Sequence, residues 1–269
     1  MPSQNKAQQK TTRYSALLDQ LTRSGPASVG ELSRQLGVSE VSIRRDLEHL
    51  EQLGLLRRTH GGAAAITRPG QVSVYDARLL LNTEAKARIG QAAAARVRPG
   101  DIILLDSGTT ILEVARHLPA ALLESGALTV VTRSLAIAAA LRLQRRTRLI
   151  VLGGVYLHEF DTFVGEQVEN ALRDLHVHTL FIGTDGISAA RGLTTDNVLE
   201  AGLYRSMARI ADRVVVAADA SKIGLEKLQA TLALDDLRAF ITDEGAPRDF
   251  LELLRPRGIE VIVAPGPPS

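Results

Sequence analysis

At 269 residues the chain can bury one large core or two smaller ones, and its 45% hydrophobic and 23% charged residues are the balance of a globular protein. The absence of cysteine excludes disulfides and thiolate metal sites. No apolar run reaches the length of a membrane span, and the polar first dozen residues carry no apolar stretch behind Lys6 and Lys10. That argues against a secretory signal and for the cytoplasm. The net charge of +2 hides an asymmetry: residues 1 to 68 hold ten Lys/Arg against six Asp/Glu, leaving 22 against 24 in residues 69 to 269. A basic module on a slightly acidic body is the pattern of a nucleic-acid reader joined to something else.

In chain order, residues 1–12 read as a disordered arm and 13–68 as a small helical domain. Tyr14, Leu17, Leu18 and Leu21 line one face of a first helix that stops at Gly25-Pro26. Val29 opens a second, with Leu32 and Leu36 inward and Gly37 at its end. Ser39 is placed to N-cap a third helix, whose inner face is Ile43, Leu47 and Leu50 and which Gly54 ends. Two short helices joined by a glycine turn, the second polar and basic at its start, is the helix-turn-helix layout. The first turns of such a helix enter the major groove, so Ser39, Glu40, Val41, Ser42, Arg44 and Arg45 are the candidate DNA-reading residues. Arg57, Arg58 and His60 then fall on a hairpin wing suited to the DNA backbone or minor groove. A three-helix interaction module with a solvated arginine face is the competing reading of the same spacing.

The run Val38-Ser39-Glu40-Val41-Ser42-Ile43-Arg44-Arg45-Asp46-Leu47, with Leu50, Gly54, Leu55 and the wing Arg57-Arg58-Thr59-His60-Gly61-Gly62-Ala63, resembles the signature of DeoR-family regulators. The resemblance implies a winged helix-turn-helix that binds double-stranded operator DNA.

After a linker over Ala63 to Val74, short apolar runs alternate with helical patterns, predicting a mainly parallel α/β domain over residues 75–264. The strand candidates are Asp101–Leu105, Leu128–Thr132, Arg148–Leu152, Thr179–Gly183, Arg213–Ala218, Ala239–Thr242 and Glu260–Ala264. Helices are expected over Ile111–Leu118, Ser134–Leu143 and 198–211, and a frayed tail at Pro265-Gly266-Pro267-Pro268. Open α/β sheets bind ligands at the carboxyl ends of their strands. Those ends carry Asp106, Ser107, Gly108, Thr109 and Thr110, then Thr132 and Arg133, Gly153 and Gly154, Asp185, and Lys222. A Ser-Gly-Thr-Thr turn between strand and helix offers free N–H groups, hydroxyls and a positive helix end to an anion such as phosphate. It is not a nucleotide-triphosphate loop, since no Gly-Lys-Ser/Thr follows. Taken alone it is equally an ordinary capped turn; Lys222 could add the counter-charge, and Asp106 and Asp185 could accept sugar hydroxyls.

Leu105–Thr110, Val151–Gly154, Phe181–Gly186, Gly192–Thr195 and Ala218–Lys222 are similar to successive blocks of the DeoR C-terminal sensor domain. That resemblance implies a fold like ribose-5-phosphate isomerase and a phosphorylated sugar-type effector. Arg133 stands where the family usually has Asn, and His178 where it usually has Asp. Arg133 is therefore expected beside the pocket, so that the effector either differs from the family's or binds through an extra cation.

His176 and His178, with His158, Glu159 and Asp161, invite a metal site, but exposed strand-edge histidines fit better, and neither a metal nor a cofactor is expected. An aldose–ketose isomerase, or a sugar-phosphate-binding protein with a vestigial DNA module, is the alternative, with Asp185 or Asp106 as base. The attached reader and the lack of a second acid/base group weigh against it. The sequence thus reads as a repressor of carbohydrate metabolism rather than an enzyme, acting as a dimer or tetramer on repeated half-sites.

Overall fold

The computed structural model describes residues 13–266 apart from 15, 19, 22, 23, 53, 54 and 66–72. The expected arm 1–12, Gly54 and residues 267–269 of the tail lie outside the described residues. The chain divides between Asn82 and Thr83 into two compact units.

In the first unit the described residues between 13 and 24 are helical (α1), and Tyr14, Leu17, Leu18 and Leu21 are buried. Ser28 ends the short strand β1 (Ala27–Ser28) and caps α2 (Val29–Leu36). Its hydroxyl accepts from the Glu31 N–H at 3.2 Å, while the Glu31 carboxylate accepts from the Ser28 N–H at 2.8 Å. The Ser28 N–H and the Ser28 hydroxyl, each donating to that carboxylate at 2.8 Å, hold the Glu31 carboxyl below its ordinary value. Gly37 closes α2 at φ 63°, a left-handed conformation in which glycine meets no steric penalty. α3 (Glu40–Gln52) buries Ile43, Leu47 and Leu50 on the α1–α2 core. β2 (Leu56–Thr59) and β3 (Gly62–Ala65) form the wing hairpin, and β1 adds to β3 in a three-stranded sheet. At Gly62 a Cβ would stand 2.1 Å from the Ala27 carbonyl oxygen, so β1 and β3 can meet only over a glycine.

The expected linker is shorter than residues 63–74. Ala63–Ala65 belong to β3, and Ser73 caps α4 (Val74–Leu79) through a reciprocal bond pair with Asp76.

All seven predicted strands form in the second unit, their ends within two residues of expectation: β4 (Ile102–Leu105), β5 (Thr129–Thr132), β6 (Arg148–Val151), β9 (Val177–Ile182), β12 (Ala211–Ala217), β14 (Ala239–Asp243) and β15 (Glu260–Ala264). They make one sheet in the order β15-β14-β12-β9-β4-β5-β6, and every pairing in it is parallel. The chain therefore starts inside the sheet, steps out to β6, crosses back past β4 to β9 and continues to β15. β4 and β9, side by side, mark the point where the strand order reverses.

Two-residue alternation along the strands loads both faces. Leu104, Leu180, Val214, Val216 and Phe240 join a core with α9 (Glu166–Arg173), α10 (Val198–Arg209) and α11 (Arg248–Leu254). On the other face α5 (Thr83–Ala94) lies on β12, β14 and β15, and packs against α6 (Thr109–Arg116), which meets α8 (Leu135–Leu141). The predicted helices are present: α6 begins and ends two residues earlier than expected, α8 and α10 are shorter, and Ala211, expected to end α10, opens β12 instead.

Two small antiparallel elements had no sequence expectation: the hairpin β7 (Val155–Leu157) with β8 (Thr162–Val164), and the sheet of β10 (Gly186–Ser188), β11 (Gly192–Thr195) and β13 (Gln229–Ala230). Among the described residues no helix is long and apolar enough to cross a membrane.

Candidate functional site

In the first unit, burying Ile43, Leu47 and Leu50 turns the opposite face of α3 outward. Val41 is 61% exposed, and Arg44 and Arg45 are exposed beside it. An apolar side chain so exposed at the start of a basic helix suits contact with a thymine methyl. Ser39 bonds Ser42 hydroxyl to hydroxyl at 3.1 Å and accepts from the Ser42 N–H at 3.4 Å, capping the helix as expected. Glu40 holds Arg44 at 3.0 Å across one helical turn. Both groups are solvated, so the pair is weak and the guanidinium can leave it for a phosphate or a guanine edge.

The wing residues divide. Arg57 and His60 are exposed. Arg58 is half-buried: its backbone N–H donates to Glu51 at 2.8 Å and its guanidinium reaches the Arg44 carbonyl at 3.5 Å, so it straps the wing to α3. Asp46, which sequence reasoning passed over, is buried and ion-paired to Arg13, tying α1 to the reading helix. Burial lowers the Arg13 pKa, but the Asp46 hydrogen bond outweighs it and holds the guanidinium above its ordinary value.

In the second unit, parallel strands bring all the predicted effector residues to one edge of the sheet. Asp106–Thr110 follow β4 and Asp185 follows β9, the pair at the reversal point where open α/β sheets bind ligands. Lys222 follows β12 on one side of them; Thr132 and Arg133 end β5, and Gly153 and Gly154 end β6, on the other.

α6 starts at Gly108, with φ 112° and ψ 152°, and no side chain caps it. A Cβ on Gly108 would meet nothing within 4 Å, so the space over the first turn is open. Ser107, Thr109 and Thr110 are buried around it. Asp185, half-buried, accepts from the Thr195 hydroxyl at 3.0 Å. Gly154 answers to packing instead: a Cβ there would stand 2.5 Å from the Val164 carbonyl oxygen. Thr132 is sealed, its hydroxyl accepting from the Ser134 N–H at 3.1 Å.

Arg133 departs from expectation. It is fully buried rather than facing a pocket, and its guanidinium is committed. Nε donates to Asp106 Oδ1 at 2.6 Å, one terminal nitrogen to Glu200 Oε1 at 2.9 Å, the other to the Phe163 carbonyl at 3.3 Å. The Tyr204 ring lies beneath it, 5.8 Å away. Burial alone would lower the Arg133 pKa, but the Asp106 and Glu200 carboxylates raise it beyond its ordinary value. The same burial raises Glu200, with Arg133 opposing the rise and Asp106 and Asp185 adding to it. The Tyr204 hydroxyl is also driven up, by burial first and then by the three carboxylates.

Around β12, burial would raise Asp219, but Lys222 first and then Lys86 overcome it and hold the carboxyl low. Lys222 is thus already in the field of a carboxylate. Asp243 accepts from the Ala220 N–H at 2.6 Å, and burial raises its pKa.

Glu200, Lys86, Tyr204 and Asp243 were missed from sequence. Two carried a signal: Glu200 shares a buried stripe with Leu203, Tyr204 and Met207, and Lys86 one with Ile89, Gly90 and Ala93. A charge on an apolar stripe at i, i+3, i+4, i+7 is rarely idle.

The histidines are engaged separately. His178 Nδ1 accepts from the Ile102 N–H at 3.1 Å, His176 pairs with Asp212, and the described residues contain no cluster able to hold a metal. Asp161 is instead a buried acceptor for Ser134 and Tyr156.

Residues 13–69 match the DeoR-like helix-turn-helix domain, and residues 81–244 match the DeoR C-terminal sensor domain. The chain is 35% identical over 253 residues to a putative aga operon transcriptional repressor of Escherichia coli O157:H7, covering 93% of each. It is 31% identical to the L-fucose operon activator of Haemophilus influenzae, over 87% of this chain and 92% of that protein. Ribose 5-phosphate isomerase A of Methanocaldococcus jannaschii superposes on 53% of this chain and 55% of its own with a TM-score of 0.39 at 18% identity, too loose a likeness to argue from. With an intact reading helix and wing in front of a sensor domain, the isomerase alternative falls away: the chain belongs to the DeoR family and is a DNA-binding transcriptional regulator, not an enzyme.

Proposed function

We propose that this regulator is a repressor of a carbohydrate operon, holding double-stranded operator DNA through α3 and the Arg57–His60 wing. A phosphorylated sugar-type effector at the carboxyl edge of the sensor sheet controls it. The observation that carries the effector reading is the first turn of α6. It lies at the reversal point of a parallel sheet, lacks a side-chain cap, is open above Gly108 and is flanked by three hydroxyl side chains. Unspent N–H groups and the positive helix end favour an anion there. Lys222 adds positive charge from the β12 side, and Asp185 offers an acceptor for hydroxyls. The repressor whose chain this one matches over 93% of its length supports the sense of control, and the L-fucose operon activator, of the opposite sense, supports the sugar class. One winged unit covers one half-site, so the working form is a dimer or tetramer in the cytoplasm.

A thermal-shift screen of phosphorylated sugars on the full chain tests the reading, because a ligand that binds only the folded state raises its apparent stability. Lys222→Ala and Thr109→Val should retain operator binding in a gel-shift assay and lose the response to the stabilising compound. Normal responses in both variants would place the effector elsewhere.

A further inference from the structure

We propose that Arg133 is a positioning residue that lets the α6 turn accept an anion, by cancelling the Asp106 carboxylate at the root of that turn. The inference rests on the effector reading above and adds to it what sets the charge of the site.

Asp106 is the residue directly before Ser107–Thr110, and its side chain is completely shielded from solvent. In so dry a place a carboxylate repels a second anion far more strongly than it would in water. Glu200 and Asp185 bear on the same volume, since both carboxylates and Asp106 push on the Tyr204 hydroxyl. The cation set among them is Arg133, joined to Asp106 at 2.6 Å and Glu200 at 2.9 Å. Lys222, which adds charge from the β12 side, and Lys86 both bear on Asp219. Removing Arg133 would leave Asp106 and Glu200 as bare neighbours of the turn meant to hold a phosphate.

The geometry fits a charge-setting role better than simple reinforcement. A buried ion pair is at best a weak source of stability, because desolvating both ions offsets their attraction. Arg133 also leaves Asp106 half used: Oδ2 is buried and has no hydrogen-bond partner among the described residues. One carboxylate oxygen is neutralised by the guanidinium, and the other keeps its capacity to accept a proton donor. That combination tolerates an anion at the helix end while retaining an acceptor for a hydroxyl, the two chemical features of a phosphorylated sugar.

The test is titration of the full chain with inorganic phosphate, read by thermal shift and by phosphorus NMR. Arg133→Met should weaken phosphate by about 10- to 100-fold, the order of effect of one unit charge across several ångströms of protein. Asp106→Asn, which frees the guanidinium, should tighten it severalfold. The double variant Arg133→Met/Asp106→Asn should return to within about threefold of wild type. A residue that only braced the fold would give no such rescue. Wild-type affinity in Arg133→Met, or a folded double variant binding no better than it, overturns the proposal. Should Arg133→Met fail to fold, Asp106→Asn and the double variant decide: equal or weaker phosphate binding in the first, or a large loss in the second, overturns it. A wild-type chain that binds neither phosphate nor any phosphorylated sugar defeats the effector reading itself, a result distinct from variants that match a binding wild type.

Discussion

Gly90 offers a direct test of how the α6 turn is held. It lies on α5 where that helix crosses α6. A Cβ there would stand 2.5 Å from the Glu113 carbonyl carbon, 2.6 Å from Glu113 Cβ and 2.8 Å from the Glu113 oxygen. Ordinary contact begins near 3.4 Å, so Gly90→Ala forces the helices about 0.9 Å apart. The clash is chiefly with backbone, which cannot rotate aside, so the upper end of overpacking costs, about 3 kcal/mol, is expected. Alanine returns about 1 kcal/mol of helix propensity, leaving a net loss of about 2 kcal/mol. For a unit of this size that lowers Tm by roughly 4–8 °C. Gly202→Ala on α10 is the control, since its nearest neighbour, a Glu169 carboxylate oxygen, is 3.7 Å away. It should raise Tm by about 1–4 °C through propensity alone. Differential scanning calorimetry reads both. If α6 carries the anion-binding turn as proposed, Gly90→Ala should also weaken the effector response while Gly202→Ala leaves it intact. A Gly90→Ala protein as stable as wild type would refute the close-approach argument.

Arg44→Ala and Arg45→Ala should each weaken operator binding by about 5- to 150-fold, the range of 1–3 kcal/mol for a lost groove contact, without changing the thermal transition. Unchanged footprints would remove α3 as the reading helix. Asp46→Ala strands Arg13 and should destabilise the first unit by roughly 1–3 kcal/mol, read as a lower denaturant midpoint; an unchanged midpoint would show the pair to be idle. The raised pKa of Glu200 means that the folded state binds its proton more readily than the unfolded chain does. Its stabilising contribution is full below about pH 4, the unfolded range, and is lost as pH rises through its folded value. Asp219, held low, behaves oppositely: its contribution is present above about pH 4 and lost as pH falls through its folded value. Wild type should therefore gain stability relative to Glu200→Gln as pH falls through the folded value of Glu200, measured by urea unfolding. A pH-independent difference would contradict the assignment.

The fold was legible wherever a local pattern is tied to a period. Continuous runs such as Ile102–Leu105 and Val214–Ala217 announce strands buried on both faces, and all such runs joined one parallel sheet. The hairpins β7–β8 and β10–β11 were not legible, because strands of three or four residues leave too short an alternation to separate from loop. The reading surface followed from one helix's own periodicity, which places Val41, Arg44 and Arg45 opposite Ile43 and Leu47. The interior of the effector edge did not. Arg133 looked like a free cation because its partners are 27 and 67 residues away in sequence, on β4's end and α10. Nothing local distinguishes an arginine that will be sealed between two carboxylates from one that will meet solvent. The partners of Arg58, Glu51 for its backbone N–H and the Arg44 carbonyl for its guanidinium, were hidden for the same reason, lying on the facing helix.

The placement of unsatisfied polar atoms adds an independent argument for where the ligand goes. Burying a donor or acceptor without a partner costs about 1–3 kcal/mol, so folded proteins keep few of them. Apart from Arg88 on α5, those in the second unit among the described residues are Asp106 Oδ2, Thr162 Oγ1, Asn197 Nδ2 and Thr242 Oγ1. Asp106 ends β4, and Thr242 lies in the last residues of β14. Thr162 stands between Asp161 and Phe163, which bond Ser134 and Arg133 just beyond β5. Asn197 follows β11 and opens α10, two residues from Thr195, the donor to Asp185. These atoms therefore gather on the carboxyl side of the sheet, around the residues assigned to the effector. An apolar side chain at any of these places would spare the desolvation cost, as it does throughout the Leu104–Phe240 core on the same strands. The cost is concentrated where an incoming polar molecule could remove it, and binding there would release stability that the unliganded fold has withheld.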